Sequence, residues 1–282
     1  MKRLSLMRSE LTRWLRSDKQ MLLAVTLIYS TAYILLPLRE ISAFFHEPLN
    51  LFEGFLTLLG NGFSMMVIVL VYLFLIIDYP DLTGNALFVI ARLGRKRWLR
   101  SQLVFVYLTS AVYLLAIFLY SVLLTGDISF VANGWSNTMR QLLTESSADL
   151  RTQNMLAVLH ESIQNYYRPY EAMWKSTLLM FLQIALFGQL QICLTVRFNK
   201  LTAVFVNLVI VSAGALFWNA RHWAQWFFPI SNATVGWHHA AFFNREIFPL
   251  WGSALYLIAG NLLLLCYSGY CARRCDFMLG RE

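Results

Sequence analysis

SQLVFVYLTSAVYLLAIFLYSVLLTG, residues Ser101–Gly126, runs for 26 positions without a charged side chain. A helix rises about 1.5 Å per residue, so this run can cross a hydrocarbon core about 30 Å thick. Arg95-Lys96-Arg97-Trp98-Leu99-Arg100 precedes it and Asp127 follows it. Working outward, six more charge-free runs of 19 to 26 residues appear: Gln20–Leu38, Gly54–Ile77, Ser176–Val196, Leu201–Ala220, His222–Asn244 and Ile247–Ala272. The 282-residue chain is 58% hydrophobic and 13% charged, against about 45–50% and about 25% in soluble domains. A water-soluble enzyme, a nucleic-acid-binding domain and a disordered chain are all excluded by that balance.

One run differs from the others. His222–Asn244 carries His222, Gln225, Ser231, Asn232, Thr234, His238 and His239, with Pro229 and Gly236 near its middle. These would break a spanning helix and leave polar groups in lipid. Its aromatics, including Trp226 and Trp237, suit the headgroup boundary. It reads as an outer interfacial or re-entrant segment. The expected fold is therefore an all-α membrane protein with six transmembrane helices, at about 20–38, 54–77, 101–125, 174–196, 201–219 and 249–270. An interfacial helix within 1–19, an outer loop over 126–173 and a cytosolic tail over 273–282 complete it.

Charge placement tests this count. With six spans the inner side holds 16 of the 23 Lys and Arg and 6 of the 15 Asp and Glu, giving +10; the outer side is −2. Basic residues concentrate inside, as the positive-inside rule expects. Seven spans would put Arg273 and Arg274 outside. The net charge of +8 is thus topological, and no nucleic-acid-binding motif accompanies it. The first run exceeds a signal-peptide core, and Leu35-Leu36-Pro37-Leu38-Arg39 offers no small-x-small cleavage site, so it reads as a retained helix. Cys193 and Cys266 fall in spans, and Cys271 and Cys275 share a helical face at an inner end. Free thiols are the plain reading of all four.

Three connections carry further information. In residues 3–19, Leu4, Met7, Leu11, Trp14 and Leu15 recur at helical spacing among basic residues. This fits a helix on the inner leaflet, or a basic flank that orients the first span. After Pro80, Asp81 or Thr83 can cap a short helix over about 84–92, with Gly94 as its stop. Leu87, Phe88 and Ile90 then face the cytosol without an obvious intramembrane partner, which suits either docking or rest on lipid. Between 127 and 172, Met139, Leu142, Leu143, Leu150, Leu156, Leu159 and Ile163 suggest one or two amphipathic helices, as an outer lid or a connector on the bilayer.

Chemistry that is missing narrows the function. The span interiors lack Asp, Glu, Lys and Arg, which counts against ion-coupled transport. No phosphate loop, His-Glu-x-x-His or Gly-x-Ser-x-Gly occurs, so no catalytic residue, metal site or bound cofactor is expected on this chain. A zinc site at His222, His238 and His239 would need a further ligand. Amides and hydroxyls such as Asn61, Ser64, Gln183 and Asn207 either bond helix to helix or line a path for an amphiphile.

This combination resembles the membrane permease subunit of a bacterial type-two ABC exporter. The match rests on the amphipathic stretch 3–19, the short helix at about 82–94 between the second and third spans, and the outer segment His222–Asn244. It also rests on Ala91-Arg-Leu-Gly-Arg-Lys-Arg-Trp-Leu-Arg100, which looks like the basic–aromatic start of the third helix in Gram-positive members. The connection over 126–173 is longer than in a minimal member. The resemblance implies a multi-pass protein of the bacterial cytoplasmic membrane with both termini cytosolic. It implies a second permease copy or a companion permease around a central path, and a cytosolic ABC ATPase dimer that binds ATP and Mg. The short helix becomes a coupling helix, with Leu87, Phe88, Ile90 and Arg92 as ATPase contacts. Asn61, Ser64, Gln183 and Asn207 become candidates for the path lining, and Trp226, Pro229, Trp237 and His238 belong to the outer re-entrant segment. The expected cargo is a peptide, lipid-like molecule or drug. The competing reading is a non-transporting scaffold or sensor that binds a ligand with loop 126–173.

Overall fold

A computed structural model describes residues 10–80, 84–144, 147–240 and 245–274, with the backbone alone for 84–87, 89 and 271–274. The chain is mostly helical. In order, it forms α1 (Asp18–Phe45), β1 (Leu49–Asn50), α2 (Glu53–Gly60), α3 (Gly62–Leu75), α4 (Gly84–Leu93), α5 (Arg95–Thr125) and β2 (Ser129–Phe130). Then follow α6 (Asn137–Leu142), α7 (Ala148–Gln153), α8 (Glu161–Tyr166), α9 (Pro169–Arg197), α10 (Lys200–Asn219), α11 (Pro229–Ala233) and α12 (Leu250–Arg274). Among the described residues, α1, α5, α9, α10 and α12 are long and apolar enough to cross a membrane. Taking α2 and α3 as one broken crossing would make six.

The break is the main departure from the expected straight second span. α2 and α3 meet at 87°. Gly60-Asn61-Gly62 supplies the physical cause: two glycines lower helical preference, and Asn61 leaves the helical region at φ −112°, ψ 124°. The Asn61 side chain then accepts the Phe63 amide at 2.9 Å and starts α3 afresh. A smaller irregularity lies in α1, where Thr31–Leu35 forms a π turn just before Pro37. Proline has no amide and its ring crowds the carbonyl four residues back, which favours such a widened turn.

α9 is the axis of the bundle. Of its most apolar stretch, 78% is buried, against 22% for α10 and 17% for α12. It packs on α12, α10, α5 and α3. Close approach to α5 and α3 requires Gly188, where a Cβ would stand 2.7 Å from Val106 and 3.2 Å from Tyr72. Hydroxyls reinforce the packing: Thr26 pairs with Tyr113 at 2.8 Å, and Tyr113 Oη donates to the Ile68 carbonyl at 3.0 Å. Interhelical bonds of this kind are worth about 0.6 kcal/mol each.

Contacts fix the two ends. At one end, Asp78 pairs with Lys19 and lies 3.5 Å from Lys200, joining three chain segments. Partial burial raises the Asp78 pKa, but the two ammonium groups outweigh it and hold the carboxyl below its ordinary value. Residues 10–15 are helical at this same end. Trp14 is 2% exposed and donates Nε1 to the Leu75 carbonyl at 3.1 Å. This part of the expected amphipathic helix is therefore pinned to the bundle; residues 1–9 lie outside the described residues. At the other end, β1 and β2 pair in parallel, with Leu49 opposite Ser129 and Asn50 opposite Phe130. The connection over 126–173 is built from α6, α7 and α8, and α9 begins at Pro169, five residues before the expected 174. α12 runs to Arg274, so most of the expected tail, 275–282, is outside the described residues.

The break generates a test. A Cβ on Gly62 would lie 2.5 Å from the Trp218 indole, a rigid neighbour. Gly62→Val is expected to destabilise the fold by about 1–3 kcal/mol through overpacking. A lowered unfolding temperature in detergent measures it; an unchanged one would show that the 87° elbow is not packed as described.

Candidate functional site

The site grows from the segment that closes over the elbow. Pro229 takes the first helical position of α11, where a missing amide costs nothing, and is buried. α11 sits among α3, α9, α10 and α12, so the segment packs into the bundle. His238 is fully buried behind it. Its Nδ1 lies 3.0 Å from the Thr234 carbonyl and its Nε2 2.8 Å from Ser253 Oγ on α12. Ser253 Oγ donates to Asn232 Oδ1 at 2.8 Å, and Asn232 Nδ2 donates to the carbonyls of Trp226 and Phe228 at 2.7 and 3.0 Å. With Nδ1 carrying the proton toward Thr234, one Ser253 hydroxyl proton serves two acceptors, Nε2 and Asn232 Oδ1.

Aromatic rings frame this chain. Trp226 meets His238 edge-on at 5.2 Å and stacks on Phe248 at 4.5 Å. Trp237 points elsewhere, to Trp218 at 5.0 Å and His160 at 5.5 Å, with the Arg221 guanidinium 5.2 Å above its ring. So Trp226, Pro229 and His238 share one packed unit, whereas Trp237 belongs to a neighbouring cluster that reaches α8. There His160 Nδ1 lies 2.8 Å from Ser162 Oγ, and Ser162 bonds the Gly236 carbonyl. Burial pushes the His238 pKa down to about 4, against the raising effect of the Thr234 and Val235 carbonyls. Burial, then Arg221, pushes His160 down to about 4 as well.

Glu53 completes the framework. It is 0% exposed at the first turn of α2, where a negative charge suits the helix dipole. Its carboxylate accepts the amides of Asn50 and Ser136, each at 2.8 Å, and the Ser136 hydroxyl at 2.8 Å. Asn50 Nδ2 donates to the carbonyls of Ala132 and Gly134 at 2.7 and 2.9 Å. The connection over 126–173 is thus stitched to α2 through one acid.

The four expected path residues do not meet one another by hydrogen bonds. Asn61 caps α3, and Ser64 bonds Tyr29 Oη of α1 at 2.9 Å. Asn207 of α10 donates to Gln191 of α9 at 2.8 Å. Gln183 is buried on α9 without a hydrogen bond among the described residues. A separate polar node joins Gln189 to Asn261 of α12 at 2.6 Å and to Tyr107 of α5 at 2.6 Å.

At the opposite end, α4 starts at Gly84 and stops at Gly94, whose φ of +83° is the left-handed geometry that favours glycine. Phe88 is 77% exposed and Arg92 is exposed. Ile90 turns inward, 6% exposed, against Trp98, Leu99, Val106, Ile192 and Val196. The Leu87 backbone is helical; its side chain lies outside the described residues. Among the described residues no group of three or more His, Cys, Asp or Glu could hold a metal ion.

Compared with family models, curated proteins and solved structures, the chain shows no match.

Sequence reasoning missed Glu53, Ser253 and His160, and named Asn232 only as a polar group of the His222–Asn244 segment. For Glu53 a signal existed: Asn50-Leu51-Phe52-Glu53 is a capping box, in which Asn50 Oδ1 accepts the Phe52 amide at 3.1 Å while Glu53 accepts the Asn50 amide. Glu53→Ala strands those buried donors and is expected to cost about 3 kcal/mol or more. Faster proteolysis within 130–168 in detergent reports it; wild-type resistance would remove the stitching role.

The histidines give a pH dependence. Both folded pKa values lie below the unfolded value of about 6.5, so the native state binds fewer protons in between. The stability they contribute is full above about 6.5 and is lost as pH falls toward 4. Measured against a protein lacking both imidazoles, the wild-type unfolding temperature is expected to drop between pH 7.5 and pH 5. In His160→Gln/His238→Gln the drop should shrink, and an equal drop would refute the assignment.

Proposed function

We propose that the chain is the permease subunit of an ATP-driven ABC exporter in the bacterial cytoplasmic membrane, moving an amphiphilic substrate while separate subunits hydrolyse ATP. The observation that carries this reading is the two-sided helix α4. Phe88 and Arg92 are exposed, free for a partner, while Ile90 is buried in one apolar cluster with Trp98, Leu99 and Val106 of α5 and Ile192 and Val196 of α9. A force applied at Phe88 therefore reaches α9, the most buried crossing, through packed side chains rather than through a loose loop.

In this reading α4 is the coupling helix. Closure of an ATPase dimer, holding ATP and Mg, pushes on it, and α5 and α9 pass the movement to the path. Two permeases, identical or not, enclose that path, with both termini on the ATPase side. Amide and hydroxyl groups at Gln183, Asn207, Ser64 and Asn61 offer a weakly polar lining to a peptide or lipid-like molecule. The outer segment around Trp226 and His238 closes the far end. Differential affinity of the ATPase for two α4 positions supplies the switching energy.

Affinity purification in mild detergent should recover an ABC ATPase with the chain. Phe88→Asp is expected to insert normally yet lose substrate-stimulated ATPase activity by tenfold or more, since a charge replaces an apolar anchor at a docking face. Normal stimulated activity in that variant would sink the coupling role. A chain that purifies without any ATPase would turn the reading toward a scaffold or sensor.

A further inference from the structure

A second feature lies between the first turns of α5 and the last turns of α12, on the same end as α4. There a groove of about 570 Å³ is lined by Lys96, Leu99, Arg100 and Leu103 on one wall and by Cys266 and Tyr270, among others, on the opposite wall. Leu99 and Leu103 are buried and make an apolar floor. One to two turns further along, Tyr107 of α5 bonds Asn261 of α12 at 3.2 Å and ties the two helices together.

The charges in this groove are of one sign. Lys96 and Arg100 are four residues apart, hence on one helical face, where like charges repel. Both are exposed, and among the described residues no Asp or Glu lines the groove. They also stand at the positive end of the α5 dipole, whose first turn holds no acid and whose cap Gly94 offers no side-chain acceptor. An anion would relieve each of these repulsions together.

The groove does not end at its charges. Continuing the face of Lys96 and Arg100 by helical steps gives Val104 and Leu108, both exposed and apolar. Continuing that of Tyr270 and Cys266 gives Leu262 and Ile258, also exposed. A basic head site thus opens onto two lipid-facing apolar stripes on crossing helices. A soluble anion would use the first part alone; a molecule with an anionic head and acyl chains uses both.

We propose that this groove binds an anionic membrane phospholipid, its phosphate between Lys96 and Arg100 and its chains along Val104, Leu108, Leu262 and Ile258. The site is independent of the transport reading. Basic pockets between transmembrane helices take such headgroups by the same electrostatics.

Cys266 provides a built-in reporter, since it lines the groove and is an exposed free thiol. The full chain is placed in nanodiscs of phosphatidylcholine, with or without phosphatidylglycerol, and N-ethylmaleimide labelling of Cys266 is followed by peptide mass spectrometry. Phosphatidylglycerol is expected to slow labelling on the order of tenfold, the worth of two near-surface basic residues. Inorganic phosphate added to phosphatidylcholine discs should not slow it. Lys96→Gln/Arg100→Gln should abolish the protection, whereas Arg95→Gln/Arg97→Gln, which removes equal charge outside the groove, should keep it. Equal labelling of the wild type in both lipids overturns the proposal, and this arm needs no variant to fold. Full protection by phosphate alone, persistence in Lys96→Gln/Arg100→Gln, or equal loss in the control pair overturns it too.

Discussion

A peptide group inside hydrocarbon finds no water, so every amide and carbonyl there must be satisfied by the protein itself. The structure turns on how that demand is met where α2 and α3 meet. At Gly60-Asn61-Gly62 the helical ladder stops, and the 87° elbow would expose backbone. Asn61 supplies a side-chain acceptor, and the Trp218 ring lies over Gly62. The segment around α11 then packs on α3, α9, α10 and α12, so irregular backbone is covered by protein. The elbow and the segment are two parts of one solution.

Around that elbow the polar groups follow a division of labour. Glu53, Asn50 and Ser136 join the connection over 126–173 to α2, while His238, Ser253 and Asn232 join the α11 segment to α12. Lys19, Asp78 and Lys200 do the corresponding work at the other end. Between the ends, the bundle relies on aromatic and hydroxyl contacts such as Tyr72 with Thr109 and Ser110. Charge is spent at the boundaries, where water moderates its cost, with Glu53 as the exception that hydrogen bonds make tolerable.

Much of this was legible in the residues. Charge-free runs located the crossings because a missing charge is a statement about the solvent, and solvent acts on every residue of a run. The short helix after Pro80 was legible from its stop at Gly94, a local rule. The capping box at Asn50–Glu53 and the Gly-Asn-Gly break were present but sat at or inside an apolar run, where composition drowned them. The chain from His238 through Ser253 to Asn232 had no local signature. Its members lie 6 to 21 residues apart on two elements and meet only after tertiary docking. The split between Ile90, buried, and Phe88, exposed, was equally hidden, because it depends on where α9 lies.

The amides of α9 bear on how the protein is made. Gln183, Gln189 and Gln191 ride on a helix whose neighbours α3 and α5 precede it, while α10 and α12 come later in the chain. The turn at Phe198 and Asn199 is tight enough for α9 and α10 to enter the bilayer as a hairpin, which already joins Asn207 to Gln191. Gln189 finds Asn261 only when α12 arrives. The polar contacts in the middle of the chain are therefore completed only by its last long helix, so a truncation before α12 strands the Gln189 amide on one side.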